Sequence, residues 1–351
     1  MGAEIVTVET DGQTFTAFER VQARASFKEA ARSFRLEAAA ENGGQVLAGQ
    51  FRAGAQVTIR ANGDLLLIGY VDQYQPCLGA KKAEVTISGR SKSGDLVDCS
   101  AVHDSGSFEQ KTALDIGNAV ASGIGATFET DQQLDPVDYQ VTPGESVFRA
   151  VEKIARTQGL TITGTPEGNA KITKAGSKRH AAGIFEGINL LSGEADHNWS
   201  NRHSKYIVRG QRPKGHGVAA LEIEAIAKDA GVNRNRTVIV VQDEDTSKDK
   251  ARSRAKNRRD RAAGNSLTAT ISVQGFRDDA GQLWTPGYLI WVESPFLNIA
   301  QDMILDAVDW TQDSDGSIAK LSLCDPRSYG GKKGKGNKSG SDWSQSDDDA
   351  E

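Results

Sequence analysis

The sequence predicts an α+β, β-rich protein: two similar β-barrel modules, a small α+β domain and an inserted charged α/β segment. Three observations carry that expectation. Around Gly54 the chain reads Gly54, Val57, Ile59, then Val71-Asp72, then Val85-x-Ile87. Around Gly287 the order returns as Gly287, Ile290, Val292, then Val308-Asp309, then Leu321-x-Leu323. Spacing inside the opening triplets is identical, and the later pairs drift only slightly, as loops vary while strands keep their alternation. Glycine is abundant (37) and proline scarce (8), which suits many turns with few interrupted ladders. Finally, helical spacing behind polar caps is confined to the middle of the chain and to one charged stretch.

Residues 1–93 read as the first barrel. Ile5-Val6-x-Val8 leads to an Asp11-Gly12 turn signal and then to Phe15-x-x-Phe18. Phe34-x-Leu36-x-Ala38 alternates, as do the Val57 and Val85 stretches, and the apolar run Leu65 to Tyr70 predicts a strand covered on both faces. Residues 94–175 read as a small α+β domain. Ser107-x-x-Gln110 has the form of a capping box before Leu114, Gly117, Val120 and Ala121. Thr142-x-x-Glu145 precedes a second helix with Val147, Val151, Ile154 and Ala155 on one face and Gly159 as its stop. A hairpin follows, Leu160-x-Ile162 and Ala170-x-Ile172 about a Pro166–Asn169 turn.

The second barrel is expected in two pieces, 176–210 and 265–329, with Tyr206-Ile207-Val208 among its strands. The charged segment 211–264 interrupts it. Within that segment, Leu221, Ile223 and Ala225 alternate like a strand while the composition favours a helix, and both readings stay open. The tail, 330–351, is Gly, Lys and Ser followed by Asp347-Asp348-Asp349, too polar to offset the entropy of ordering, and is expected to be disordered.

Composition narrows the function. A chain of 351 residues exceeds one ordinary core and fits several domains. No apolar run approaches the ~20 residues of a membrane span, and the N-terminus lacks a basic-then-apolar leader, so no membrane insertion is expected. The odd, widely spaced cysteines Cys77, Cys99 and Cys324 fit neither a disulfide framework nor a zinc knuckle, which points to a reducing compartment. A formal charge of −5 argues against a dedicated nucleic-acid binder. No Gly-x-Ser-x-Gly elbow, phosphate-binding loop or His-Glu-x-x-His occurs. His197 and His203, either side of Trp199, have no ligand spacing, and His103, His180 and His216 lie in polar stretches without a nearby partner. Asp313-Ser-Asp315-Gly316 reads as a β-turn, lacking the later ligands of a calcium loop. Catalytic residues, metal and cofactor are therefore expected to be absent.

The densest charge cluster runs from Lys248 to Arg261, opposed only by Asp249 and Asp260, with Thr246 or Ser247 as a cap and Ala251, Ala255 and Ala262 on one face. One reading is a phosphate-contacting helix. The preferred reading packs the Ala stripe and leaves Lys250, Arg252, Arg254, Arg258 and Arg259 to pair with acids of a neighbouring subunit, because base-reading side chains are nearly absent.

Two family resemblances follow. Tyr139-Gln-Val141-x-Pro143-Gly144-Glu145-Ser146, then a helix, then Gly159-Leu160, resembles the opening of a LysM module, which implies peptidoglycan binding as the alternative function. More of the chain resembles the baseplate hub proteins of contractile-tailed bacteriophages, most of all those of Mu-like phages. The carrying residues are Gly69-x-Val71-Asp72, Gly89-Arg90-Ser91-x-Ser93-Gly94-Asp95-Leu96-Val97-Asp98-Cys99-Ser100, Tyr206–Gln211, Val273-Gln274-Gly275-Phe276, Leu283-Trp284-x-Pro286-Gly287 and Leu323-Cys324-Asp325-Pro326-x-x-Tyr329. That resemblance implies a structural homotrimeric ring, made in the host cytoplasm and carried in the virion. Each subunit's two barrels would adapt a six-fold tail tube protein to a three-fold tail spike protein. Other baseplate proteins would be partners too, and DNA would pass without specific binding.

Overall fold

Strands dominate, as the alternation requires. The computed structural model describes residues 4–39, 50–79, 83–210, 223–242 and 247–330. They fall into two units: Met1–Ala181 with Ile271–Tyr288 and Leu305–Ser322, and Ala182–Thr270 with Leu289–Ile304 and Leu323–Glu351.

The first unit begins with β1 (Val6–Thr10), β2 (Gln13–Phe15), β3 (Arg20–Ser26), β4 (Ser33–Ala39), β5 (Gln56–Ala61), β6 (Asp64–Leu78) and β7 (Ala83–Ser91). Their antiparallel order is β3–β4–β7–β6–β5–β1–β2. The β5–β6 hairpin turns on Asn62 and Gly63, both at positive φ, the backbone whose twist matches that of the flanking strands. Except in the short, exposed β2, one face of each strand is apolar and buried: Val6 and Val8, Phe34, Leu36 and Ala38, Val57, Ile59 and Ala61. Period two puts these side chains on one side and the polar ones on the other.

The same unit continues with α1 (Gly94–Asp98), β8 (Ser107–Lys111), α2 (Ala113–Val120), β9 (Phe128–Thr130), β10 (Val137–Gln140), α3 (Val147–Thr157), β11 (Thr161–Gly164) and β12 (Ala170–Thr173). Ile116, Val120, Phe128, Val151, Ile154, Ile162 and Ile172 share its core. Both expected caps are corrected. Ser107 opens β8, and α2 starts at Thr112, whose side chain accepts from the Asp115 N–H while the Asp115 carboxylate accepts from the Thr112 N–H. The helix α3 is capped by Ser146. Glu145 instead closes the preceding turn, accepting from the Thr142 N–H at 2.8 Å and the Tyr139 hydroxyl at 2.7 Å, with the Lys153 ammonium alongside. Burial pushes its carboxyl up, but these donors outweigh burial and hold it below the ordinary range. Gly159, at φ +72°, ends α3 as expected. Arg32 ties this domain to the strands before it, donating from Nε to Gly164 O at 3.1 Å and from Nη1 to Leu66 O at 2.7 Å. Burial lowers its pKa to about 10 against the pull of Glu167.

The remaining strands are β13 (Ile184–Phe185), β14 (Leu190–His197), β15 (Lys205–Gly210), β16 (Ile223–Lys228) and β17 (Thr237–Gln242). After the helix α4 (Lys248–Gly264) come β18 (Leu267–Gln274), β19 (Leu289–Ser294), β20 (Ile299–Asp313) and β21 (Gly316–Cys324). Hydrogen-bonded neighbours run β14–β18–β21–β20–β19, the order in which β3–β4–β7–β6–β5 run earlier. Strand lengths repeat as well: β5 and β19 have 6 residues, β6 and β20 have 15, β7 and β21 have 9. Registers agree, since Gln56 faces Tyr70 as Leu289 faces Ile304, and Val57 faces Gly69 as Ile290 faces Met303. The fold therefore holds two similar β modules. They differ at the edge: β1 pairs with β5 antiparallel, whereas β13 pairs with β19 parallel.

Two details of the expected repeat change. The counterpart of Val71-Asp72 is Leu305-Asp306, three positions before Val308-Asp309, because the Gly287 N–H bonds Leu305 O as the Gly54 N–H bonds Val71 O. Strand β15, expected in the second module, instead lies between β16 and β17 in a separate three-stranded sheet, antiparallel to the first and parallel to the second. The open question around Ile223 resolves to strand. The expected disorder of 330–351 concerns residues that, beyond Gly330, lie outside those described.

Candidate assembly surface on the basic helix

The sheet β16–β15–β17 sorts its side chains by period two. Val208, Ala225, Ala227 and Val240 lie on one face, and α4 packs there through Ala251 and Ala255, both fully buried. Alanines let the helix come close to the strands without leaving voids. Ser247 caps it, accepting from the Lys250 N–H at 3.2 Å. At its far end, Gly264 lies against Ser328 in the 3-10 turn Pro326–Tyr329, where an added Cβ would overlap the Ser328 backbone. Nearby, Arg202 is clamped by Asp229 through Nε at 2.6 Å and Nη2 at 2.9 Å, with its guanidinium 4.7 Å from the Trp199 ring. A buried bidentate pair of this kind holds the turns at the sheet's end in one geometry.

With the Ala stripe inward, the charged side chains divide. Lys250, Arg254, Arg258 and Arg261 share the outward face with Ser253, Asn257 and Asp249. Among the described residues, none of these four cations has a carboxylate partner. Of the other two candidates, Arg252 lies on the flank with its Nε buried, and Arg259 pairs with Asp260 at 2.9 Å. The structure thus brings Lys250, Arg254 and Arg258 onto one surface and sets Arg252 and Arg259 apart from it. Arg261 belongs with the surface set; an offset of three from Arg258 and seven from Arg254 was the signal for it.

The buried histidine with a carboxylate partner is one that gave no local signal. His180 is buried, its Nδ1 3.1 Å from Asp278 Oδ2, and its Nε2 accepts from the Thr285 N–H at 3.1 Å. Since Nε2 accepts, Nδ1 carries the proton and the imidazole is neutral. Asp278 also accepts from the Ala280 and Gln282 N–H groups, and the Trp284 and Tyr288 rings lie 5.0 and 5.4 Å from His180. Nothing here presents a nucleophile or an open ligand position; it is a lock on the loop that leads to Gly287. His197 bonds Leu297 O at 2.9 Å and His203 lies 3.2 Å from Asn201 O, so each is engaged by the backbone carbonyl of another residue.

Comparison with known proteins gives one coherent set. Three family models match successive stretches: the Mu phage baseplate assembly protein GpP-like N-terminal domain over 5–91, the second domain of baseplate hub protein gp44-like proteins over 93–174, and the fourth domain of the Mu phage baseplate assembly protein GpP over 247–331. Baseplate hub protein gp44 of Escherichia phage Mu is 26% identical over 334 residues, covering 91% of this chain and 87% of that protein. Two crystal structures share the fold. The 43 kDa tail protein of prophage MuSo2 from Shewanella oneidensis has a TM-score of 0.81 at 23% identity, covering 93% of this chain and 99% of that one. The tail protein from Neisseria meningitidis MC58 has a TM-score of 0.75 at 22% identity, covering 92% and 97%.

Proposed function

We propose that this chain, which belongs to the baseplate hub family of Mu-like phages and is a structural protein of the phage tail, forms a homotrimeric ring. The observation that carries the reading is the repeated strand order of its two modules. Three copies of a duplicated module present six near-equivalent units while keeping three-fold symmetry. One face can then meet a six-fold tail tube and the other a three-fold spike, since a closed ring requires each contact to repeat at a fixed rotation. Other baseplate proteins would bind around it, and assembly would take place in the host cytoplasm. No catalytic role is assigned. Among the described residues, no helix is long and apolar enough to cross a membrane.

In this reading α4 faces a neighbouring subunit or baseplate protein, with Lys250, Arg254 and Arg258 as its contact residues and Arg252 and Arg259 as supports. It does not line the channel. A channel through which duplex DNA slides should not grip phosphates, and a row of unpaired cations would. Electron cryo-microscopy of the purified oligomer tests this. Three-fold symmetry with six similar lobes and α4 away from the lumen is the expected result; α4 lining the lumen would overturn the placement, and any other symmetry the ring.

A further inference from the structure

We propose that a cavity in the first unit is a carboxylate-binding site, taking a singly charged carboxylate on a short aliphatic stem. The cavity holds about 200 Å³, and every residue lining it belongs to that unit. Its floor is the outer face of the sheet β9–β12–β11. Register sets Glu129, Lys171 and Thr163 in one row across the three strands, while Phe128, Ile162 and Ile172 lie in the core on the other side. Period two thus gives a polar floor over an apolar underside. Phe27, Pro286 and Tyr288 supply apolar wall.

Which polar groups remain free decides the ligand. Several hydroxyls have already committed their hydrogen: Thr163 donates to Ser26 O at 3.2 Å, Thr173 to Asp131 at 2.8 Å and Thr285 to Leu283 O at 2.8 Å. Asp131 also holds Lys171 at 3.0 Å. Arg32 differs. It is 8% exposed, with Nε and Nη1 committed to the carbonyls of Gly164 and Leu66. Nη2 has no partner among the described residues, and since Arg32 lines the cavity, this nitrogen is the one left to face it. Glu167 pulls on the guanidinium without bonding it, and burial outweighs that pull. Buried charges are normally paired, because desolvation without a counter-charge is costly.

The remaining charges sit at the mouth. Lys174, Lys178, Glu129 and Glu167 are exposed there, and none forms an ion pair among the described residues. The uncommitted charge at depth is therefore positive, while the mouth is mixed. A dianion such as phosphate would meet Glu129 and Glu167 on entry. A carboxylate brings one negative charge to one buried positive charge, where a charge-assisted bond is strong. A free acid and a glutamate side chain of another protein present the same group. Neither the site nor its test depends on ring formation.

Ligand-observed saturation-transfer NMR on the full-length protein, at fixed ionic strength, tests this with butyrate as the probe. Butyrate should give a saturable signal with a Kd on the order of millimolar, as suits so small a ligand. Butyramide, its uncharged counterpart, should bind at least about tenfold more weakly. K174E should weaken butyrate about two- to fivefold and E167Q should tighten it by a similar factor. Both side chains are exposed, so the fold is kept. No saturable signal below about 100 mM overturns the site. So does a Kd that neither substitution moves, or one that butyramide matches. Inorganic phosphate that displaces butyrate with the lower Kd overturns the choice of ligand. N-acetylglutamic acid α-amide, whose carboxylate is a side chain, separates the sources. Affinity equal to that of butyrate assigns the group to a protein partner, and binding about tenfold weaker assigns it to a free acid.

Discussion

Gly54 and Gly287 hold the same left-handed backbone, φ +85° and +87°, and each donates its N–H across 2.7 Å to the facing strand, to Val71 O and Leu305 O. The residue after each glycine accepts from that same partner, Ala55 O from the Val71 N–H and Tyr288 O from the Leu305 N–H. The two modules thus enter β5 and β19 through one local device. Its surroundings differ, however: open space lies around Gly54, whereas a Cβ on Gly287 would overlap the Phe27 ring.

That difference sets the first prediction. Gly54→Ala meets only the left-handed penalty and should cost about 1–2 kcal/mol. Gly287→Ala adds overlap with Phe27 and should cost about 1–3 kcal/mol more. Urea midpoints of the two variants check this; equal losses would mean Phe27 yields freely.

His180 supplies the pH dependence. Burial lowers its pKa and outweighs the pull of Asp278. With the folded value below the unfolded value of about 6.5, the unfolded chain binds more protons in that window, so stability rises with pH across it. His180 contributes fully above pH about 6.5, and the contribution is lost as pH falls from there toward the folded value. His180→Gln should be about 1–3 kcal/mol less stable at pH 8, and its deficit should shrink as the pH drops below 6. A deficit constant between pH 5 and 8 would contradict the neutral imidazole.

Charge reversal on α4 separates surface from support. K250E, R254E and R258E together should leave the circular dichroism unchanged and weaken self-association, because none of these side chains has a carboxylate partner among the described residues. R252E should instead lower stability, since its Nε is buried on the flank. Sedimentation velocity beside urea melts reads both; unchanged association in the triple variant would move the seam elsewhere.

The LysM resemblance is tested by pelleting with purified cell-wall sacculi. A structural hub is expected to remain in the supernatant. Saturable co-sedimentation, lost on substituting Tyr139, would promote glycan binding to a function of the 94–175 domain.

Much of this fold was legible because period-two alternation marks half-buried strands wherever one face is wet. Phe34-x-Leu36-x-Ala38 and Val57-x-Ile59 follow it residue for residue. Legibility failed where that condition fails. β20 is buried on both faces from Gln301 to Leu305, so nothing in its pattern fixes register, and Val308-Asp309 stood in for Leu305-Asp306. One cap signal was a real bond misplaced along the chain: Glu145 does accept from the Thr142 N–H, but it closes a turn ahead of the helix. His180 found its partner in a residue 98 positions away, a pairing no local window contains. In the basic helix the Ala stripe was readable, and with it the outward side. Which strands it would meet was not, since β15 reads like any strand of the second module.

On the proposed function, three copies of the chain close into a ring. Light scattering on a sizing column, across a wide range of concentrations, tests it most directly. A trimeric ring requires a species near three times 37.6 kDa that persists or accumulates as concentration rises. A strict monomer throughout, or a species that stops at a dimer, would contradict it.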